Sequence, residues 1–260
     1  RMERSAARLL KNIFQCGLFE DPYLDPEQSV QTVGCKAFCD HGFEAQHKSV
    51  VLLKNRESCL PLKKGLKIYT PVRQIRASKG FMRNDIPAHT EDPVTAALLA
   101  PYGTRVETPE EADVAIVFVE SPACNPYSKA DAESGGSSYR GKTNTAYNES
   151  DLDNILACRR AMGDKPVIVC AALNNPMVMH EFERETDAIV VEFGVSRAAV
   201  LDVLFGDYEP TGRLPIQIPK DMETVEAQSE DRALDMEPHV DEAGNAYDYG
   251  FGLNYSGVIG

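Results

Sequence analysis

The chain has 260 residues, 43% of them hydrophobic and 26% charged, which is enough for one large or two small domains with a sizeable core. Its formal net charge of -13 argues against nucleic acid and anionic membrane surfaces as partners, since both need basic patches. It says little about a neutral ligand such as a sugar.

In chain order, Met2, Ala6, Leu9, Leu10, Ile13 and Phe14 share one helical stripe, and Gly17 supplies a C-terminal cap. Glu20-Asp21-Pro22-Tyr23 and Asp25-Pro26 read as turns. This opening reads as the last helix of a preceding domain with its linker, residues 1–40, followed by a second domain at 41–260. Residues 42–54 continue as a helical pattern, and a short strand is expected at Leu66–Tyr69. Residues 71–90 show no period and read as loop. Val94, Ala97 and Leu98 have helical spacing, and Thr104–Val106 suits a short strand.

Val114–Val119 is an unbroken apolar run, the mark of a strand buried on both faces in a parallel sheet. A carboxylate, Glu120, follows at once. Ser121–Glu149 then has neither helical nor strand period, and loops of this length inside a domain are usually functional or disordered. In open α/β sheets, ligands bind beyond the carboxyl ends of the strands.

Ser150 begins a clear helix with Asp151 and Asp153 in its first turn; Arg159 and Arg160 suit its C-terminal end, and Gly163 closes it. Pro166–Leu173 and Ala188–Phe193 are two more apolar strands, with a short helix expected between them at Met177–Glu185. Ser196 can cap a helix over Arg197–Phe205. Arg213–Ile218, bounded by prolines, reads as an edge strand, and 220–260 as acidic loop and tail. Strands alternating with helices predict an α/β domain with a mainly parallel central sheet.

The seven cysteines are odd in number and contain no C-x-x-C pair, so they read as scattered reduced thiols rather than a zinc site. His41, His47, His89, His180 and His239 form no ligand-like cluster. No metal and no cofactor is expected. No apolar run reaches the ~18–20 residues of a membrane-spanning helix. No signal peptide is seen either, which is uninformative for a fragment opening at Arg1.

Four motifs resemble glycoside hydrolase family 3 in the family's own order. Gly17-Leu18-Phe19-Glu20-Asp21-Pro22-Tyr23 resembles the end of its catalytic barrel. Ser49-Val50-Val51-Leu52-Leu53-Lys54-Asn55 with Leu60-Pro61-Leu62 resembles the lead-in to its second domain. Asp202–Asp207 with Pro210–Pro215 is similar to the family's "D-V-L-F-G-D … P-S-G-R-L-P" signature, and Tyr249–Tyr255 to its closing "F-G-Y-G-L-S-Y". The glycines in these motifs read as structural.

The resemblance implies a three-layer, flavodoxin-like α/β sandwich, with one antiparallel edge strand. It implies the second domain of a retaining β-glycosidase, most readily a β-glucosidase, with a carbohydrate substrate and a secreted or periplasmic location. The family's nucleophile lies on a barrel that would precede Arg1, so the isolated chain is expected to be inactive. The acid/base is expected from this domain. Glu120 keeps the Glu of the family's "G-E" but lacks its Gly; Glu133, in Ala132-Glu133-Ser134-Gly135-Gly136, is the competitor. Should Glu120 be buried against a flanking helix by a structural Arg or Lys, facing away from the strand-end surface, the role passes to Glu133; should both point away, the domain contributes shape rather than a proton donor. Tyr127, Asp131 and Arg140 are candidates to bind sugar hydroxyls, and Tyr139 to offer an aromatic face. The alternatives are a non-catalytic structural or sugar-binding module, the same domain of a family 3 β-xylosidase, and a binding domain for a phosphorylated ligand. The last is weak because no glycine-rich phosphate loop follows any strand.

Overall fold

The computed structural model describes residues 1–75, 77, 87–121, 149–229 and 231–260. The chain divides into two compact units, Arg1–Glu44 and Ala45–Gly260.

The first unit contains α1 (Met2–Gln15), α2 (Pro26–Thr32) and the larger part of α3 (Lys36–Ser49). α1 follows the predicted stripe and ends before Gly17, whose φ of 66° suits the left-handed turn of a C-cap. None of its residues is buried, and Met2, Leu9 and Phe14 are exposed. Asp25-Pro26 is more than a turn. The Asp25 carboxylate accepts the Glu27 amide at 2.9 Å, and Pro26 opens α2 at the position where its missing N–H costs nothing.

The second unit is built on an eight-stranded sheet. Its members are β1 (Val51–Asn55), β2 (Leu66–Tyr69), β5 (Gly103–Val106), β6 (Val114–Glu120), β7 (Val167–Ala172), β8 (Ala188–Glu192), β9 (Leu253–Asn254) and β10 (Gly257–Val258). β3 (Arg73–Ile75) and β4 (His89–Glu91) form a separate antiparallel pair. The spatial order is β10-β9-β1-β8-β7-β6-β2-β5. β5, β2, β6, β7 and β8 run parallel. Numbered by chain order, these five read 2-1-3-4-5, the flavodoxin-like arrangement. β1, β9 and β10 extend the sheet antiparallel beyond β8.

Side-chain alternation along β6 makes a core on each face. Val114, Ile116 and Phe118 join one cluster with Leu99 of α4 (Ala96–Leu99) and Val200, Leu201 and Leu204 of α6 (Arg197–Leu204). Ala115, Val117 and Val119 join another with Ile155, Cys158 and Met162 of α5 (Glu149–Met162). Each fully buried Val, Ile or Phe contributes about 1.5–3 kcal/mol, so β6 anchors the whole sandwich. Ser196 caps α6 as expected. No helix among the described residues is long and apolar enough to cross a membrane.

Several elements differ from the sequence reading. The helical pattern at 42–54 stops at Ser49, and Val51–Asn55 is a strand. The β-branched pair Val50-Val51 and the two leucines fit either period; pairing with β8 and β9 decides for the strand. The expected loop at 71–90 contains β3 and β4. Met177–Glu185 holds only a 3₁₀ turn at Glu183–Glu185, because Met177, Val178, Met179 and Phe182 each bury individually against the sandwich instead of along one helical face.

Arg213–Ile218 is not an edge strand. Pro215 interrupts it, and it is held at two points: the Leu214 amide donates to Phe251 O (2.8 Å) while Leu214 O accepts the Gly250 amide (2.8 Å), and the Ile218 amide donates to Tyr247 O (2.9 Å) while Ile218 O accepts the His239 amide (2.8 Å). The antiparallel edge is β10 instead. The tail contains α7 (Met222–Ala227), capped by Asp221, in addition to β9 and β10.

Candidate functional site

β2 leads outward to β5, whereas β6 leads the other way to β7. The crevice beyond the carboxyl ends of β2 and β6 is therefore the topological switch point, where open α/β sheets bind their ligands. Two charged residues meet there. Glu120 is the last residue of β6, and Arg73 begins β3 just after the chain leaves β2.

Arg73 has only 1% of its side chain exposed. A buried guanidinium must be paired and hydrogen-bonded, and here the pairing is extensive. Its Nε donates to Asp151 Oδ1 at 3.0 Å and its Nη2 to Asp151 Oδ2 at 2.9 Å, a two-pronged grip on the first turn of α5. Its Nη1 lies 3.2 Å from Glu91 Oε2 and 3.2 Å from Glu120 Oε1. Burial disfavours the cation, but the hydrogen bond and charge of Asp151, together with those of Glu120, outweigh it and hold the Arg73 pKa above its ordinary value.

Glu120 keeps 40% of its side chain exposed at the strand end, so its ion pair does not bury it. Its backbone N–H donates to Asp151 Oδ2 at 3.3 Å. Ser121, next in the chain, is buried; its amide bonds to Ala172 O at 2.9 Å, and its hydroxyl oxygen accepts the Asn174 amide at 2.9 Å. The exits of β6 and β7 are thereby fastened together. Asn174, at the turn after β7, has a structural role there.

Of the candidates read from sequence, the structure places Glu120. Glu133, Tyr127, Asp131, Arg140 and Tyr139 lie outside the described residues. Arg73, Glu91 and Asp151 were not anticipated at the site. Val72-Arg73-Gln74-Ile75 has no apolar–polar alternation, so no sequence pattern signalled a short strand that buries its arginine.

Other polar features lie elsewhere. A depression of ≈ 490 Å³ is lined by His180, Lys220, Asp221, Glu237 and His239. Another of ≈ 490 Å³ includes Arg56, Arg159, Pro166 and Asp187, beside the starts of β7 and β8 and so at the opposite end of the strands from Glu120. Burial pushes the thiols of Cys59, Cys158 and Cys170 up to about 12, so they act as apolar filling and not as nucleophiles. Among the described residues, no three or more His, Cys, Asp or Glu side chains group to hold a metal ion.

Comparison with known proteins places this geometry in a family. The model of the "Glycosyl hydrolase family 3 C-terminal domain" matches residues 50–255. "Beta-glucosidase C" from Emericella nidulans is 32% identical over 258 residues, covering 98% of this chain and 36% of that protein. "Probable beta-glucosidase C" from Aspergillus flavus is 31% identical, covering 98% and 35%. The "Periplasmic beta-glucosidase/beta-xylosidase" of Dickeya chrysanthemi is 28% identical, covering 97% and 34%. The chain thus spans about a third of the length of the curated relatives it matches. Among solved structures, a β-glucosidase from Listeria innocua aligns with a TM-score of 0.60 at 16% identity, covering 95% of this chain and 38% of that one, a likeness of fold.

Proposed function

Because the chain belongs to glycoside hydrolase family 3, whose C-terminal domain it carries over residues 50–255, we propose that it is the second domain of a retaining β-glycosidase and supplies the acid/base carboxyl. A β-glucosidase is the first choice, supported by the printed activities of the Emericella and Aspergillus relatives. The double name of the Dickeya protein favours β-xylosides as a second substrate. A periplasmic or secreted location has similar support, since relatives from Dickeya chrysanthemi and Salmonella typhimurium are named periplasmic.

The observation that carries the reading is the position of Glu120, half-exposed at the carboxyl end of a fully buried strand and on the switch-point crevice. Retaining hydrolysis needs two carboxyl groups about 5–5.5 Å apart, one attacking the anomeric carbon and one first donating and then accepting a proton. On this proposal the attacking carboxylate belongs to a barrel preceding residue 1, and residues 1–40 are the barrel's last helix and linker. The 121–149 segment, with Tyr127, Asp131, Tyr139 and Arg140, supplies sugar contacts. Glu133 is the competitor for the proton-donor role. The chain alone cannot both attack and protonate, so it should not turn over aryl β-glucosides.

The test is the leaving-group dependence of hydrolysis in the full-length enzyme. Glu120→Gln should lower the rate by about 10²–10⁴-fold for glucosides with poor leaving groups and by much less for 2,4-dinitrophenyl glucoside. The same signature in Glu133→Gln, with Glu120→Gln unaffected, moves the role to Glu133. Normal dependence in both variants makes the domain a non-catalytic module.

A further inference from the structure

We infer that Arg73 is the positioning residue of the Glu120 carboxyl, locked in place by Asp151. This rests on the reading of Glu120 as the acid/base.

The guanidinium is planar and its five donors are fixed relative to one another. Two of its donors, along one edge, are committed to Asp151, which is itself buried, with 3% of its side chain exposed. That grip fixes where Nη1 can be. Nη1 carries two hydrogens and lies 3.2 Å from each of two half-exposed carboxylates: Glu91, its cross-strand partner on β4, and Glu120 on β6. Asp151 Oδ2, which takes Nη2, also accepts the Glu120 amide. The backbone and the carboxyl of Glu120 are therefore both referenced to one buried carboxylate.

Asp151 takes two of the five guanidinium donors in the interior, and Nη1 must find its acceptors elsewhere. Reaching past that pair to a carboxyl at the ligand crevice is what a positioning role adds. A general acid must meet the leaving oxygen at hydrogen-bonding distance, and a misplacement of about 1 Å can cost on the order of 10²-fold. Among the described residues, the charged groups facing Glu120 include Arg73 on β3, Glu91 on β4 and Asp151 on α5.

The experiment uses the full-length enzyme and a series of aryl β-glucosides of graded leaving-group pKa, with Glu120→Gln, Arg73→Lys and Glu91→Gln side by side. Lysine keeps the charge but loses the fork. Arg73→Lys should therefore lower kcat for poor leaving groups by about tenfold to a hundredfold, with KM for the 2,4-dinitrophenyl substrate unchanged. Glu91→Gln removes a negative charge from the nitrogen that Glu120 shares, so the alkaline limb of the kcat/KM profile should move to lower pH. Normal leaving-group dependence in Glu120→Gln removes the acid/base reading, and this inference with it. An altered dependence in Glu120→Gln, with wild-type dependence in folded Arg73→Lys and an unmoved limb in Glu91→Gln, overturns this inference alone. If Arg73→Lys does not fold, the limb in Glu91→Gln, a change at a half-exposed side chain, decides.

Discussion

Lys54 and Glu183 form a buried ion pair with 6% and 2% of their side chains exposed. Lys54 Nζ bonds both the Glu183 carboxylate and its backbone oxygen, the latter at 2.7 Å, and His239 Nε2 lies 3.8 Å from the other carboxylate oxygen. The pair ties β1 to the turn before β8 and to the tail. Removing one partner of such a pair strands the other without solvent, so Lys54→Met should lose about 3–5 kcal/mol in urea unfolding. A loss below about 1 kcal/mol would contradict the structure here. Burial raises the Glu183 pKa, but the hydrogen bond and charge of Lys54, with the His239 ring 3.8 Å away, outweigh it and leave the carboxyl below its ordinary value. A carboxyl lowered by folding stabilises the protein above the unfolded value of about 4.3, and the contribution is lost as pH falls through the folded value. Unfolding followed from pH 7 to pH 3 should show a steeper acid loss in wild type than in Glu183→Gln; equal slopes would refute the assignment. At this scale the sequence was legible where pattern and chemistry coincided. Glu120 stood out because it ends an apolar run. Arg73 did not, because its partners Glu91, Glu120 and Asp151 come from three other elements and only the fold brings them together.

Among elements, the family motifs resolve into close backbone contacts. A Cβ on Gly252 would lie 2.3 Å from Gly212 O, and a Cβ on Gly212 would lie 2.3 Å from Val50 O. The chain entering β1, the Pro210–Pro215 turn and the closing Tyr249–Tyr255 segment therefore stack with no room for a methyl group. Gly252→Ala should cost about 1–3 kcal/mol in a thermal or urea melt, by forcing backbone apart in a packed region. A variant as stable as wild type would show that the stack is looser than described. The central strands were legible because Val114–Val119, Pro166–Leu173 and Ala188–Phe193 are long apolar runs with only one reading. β1 was not, since Val50 to Leu53 fits helix and strand alike until β8 and β9 pair with it. The 213–218 segment has the extended character of a strand, but Pro215 denies it a ladder, and the tail satisfies its amides instead.

For the whole molecule, the five parallel strands in 2-1-3-4-5 order bury β6 at the centre and leave one switch point, between β2 and β6. The sequence located half of that crevice through Glu120. The other half, Arg73 after β2, depended on strand order, which chain order alone does not state. On the proposal above, Glu120 is the proton donor of a glycosidase whose nucleophile lies on another domain. Replacing such a residue by alanine slows both protonation and the later activation of water, and opens space for a small anion to attack the sugar–enzyme intermediate. The most direct measurement is product analysis by NMR for full-length Glu120→Ala with 2,4-dinitrophenyl β-glucoside in sodium azide. The expected product is β-glucosyl azide, with retained anomeric configuration and faster turnover than without azide. Glucose as the only product, at a rate that azide does not change, would contradict it.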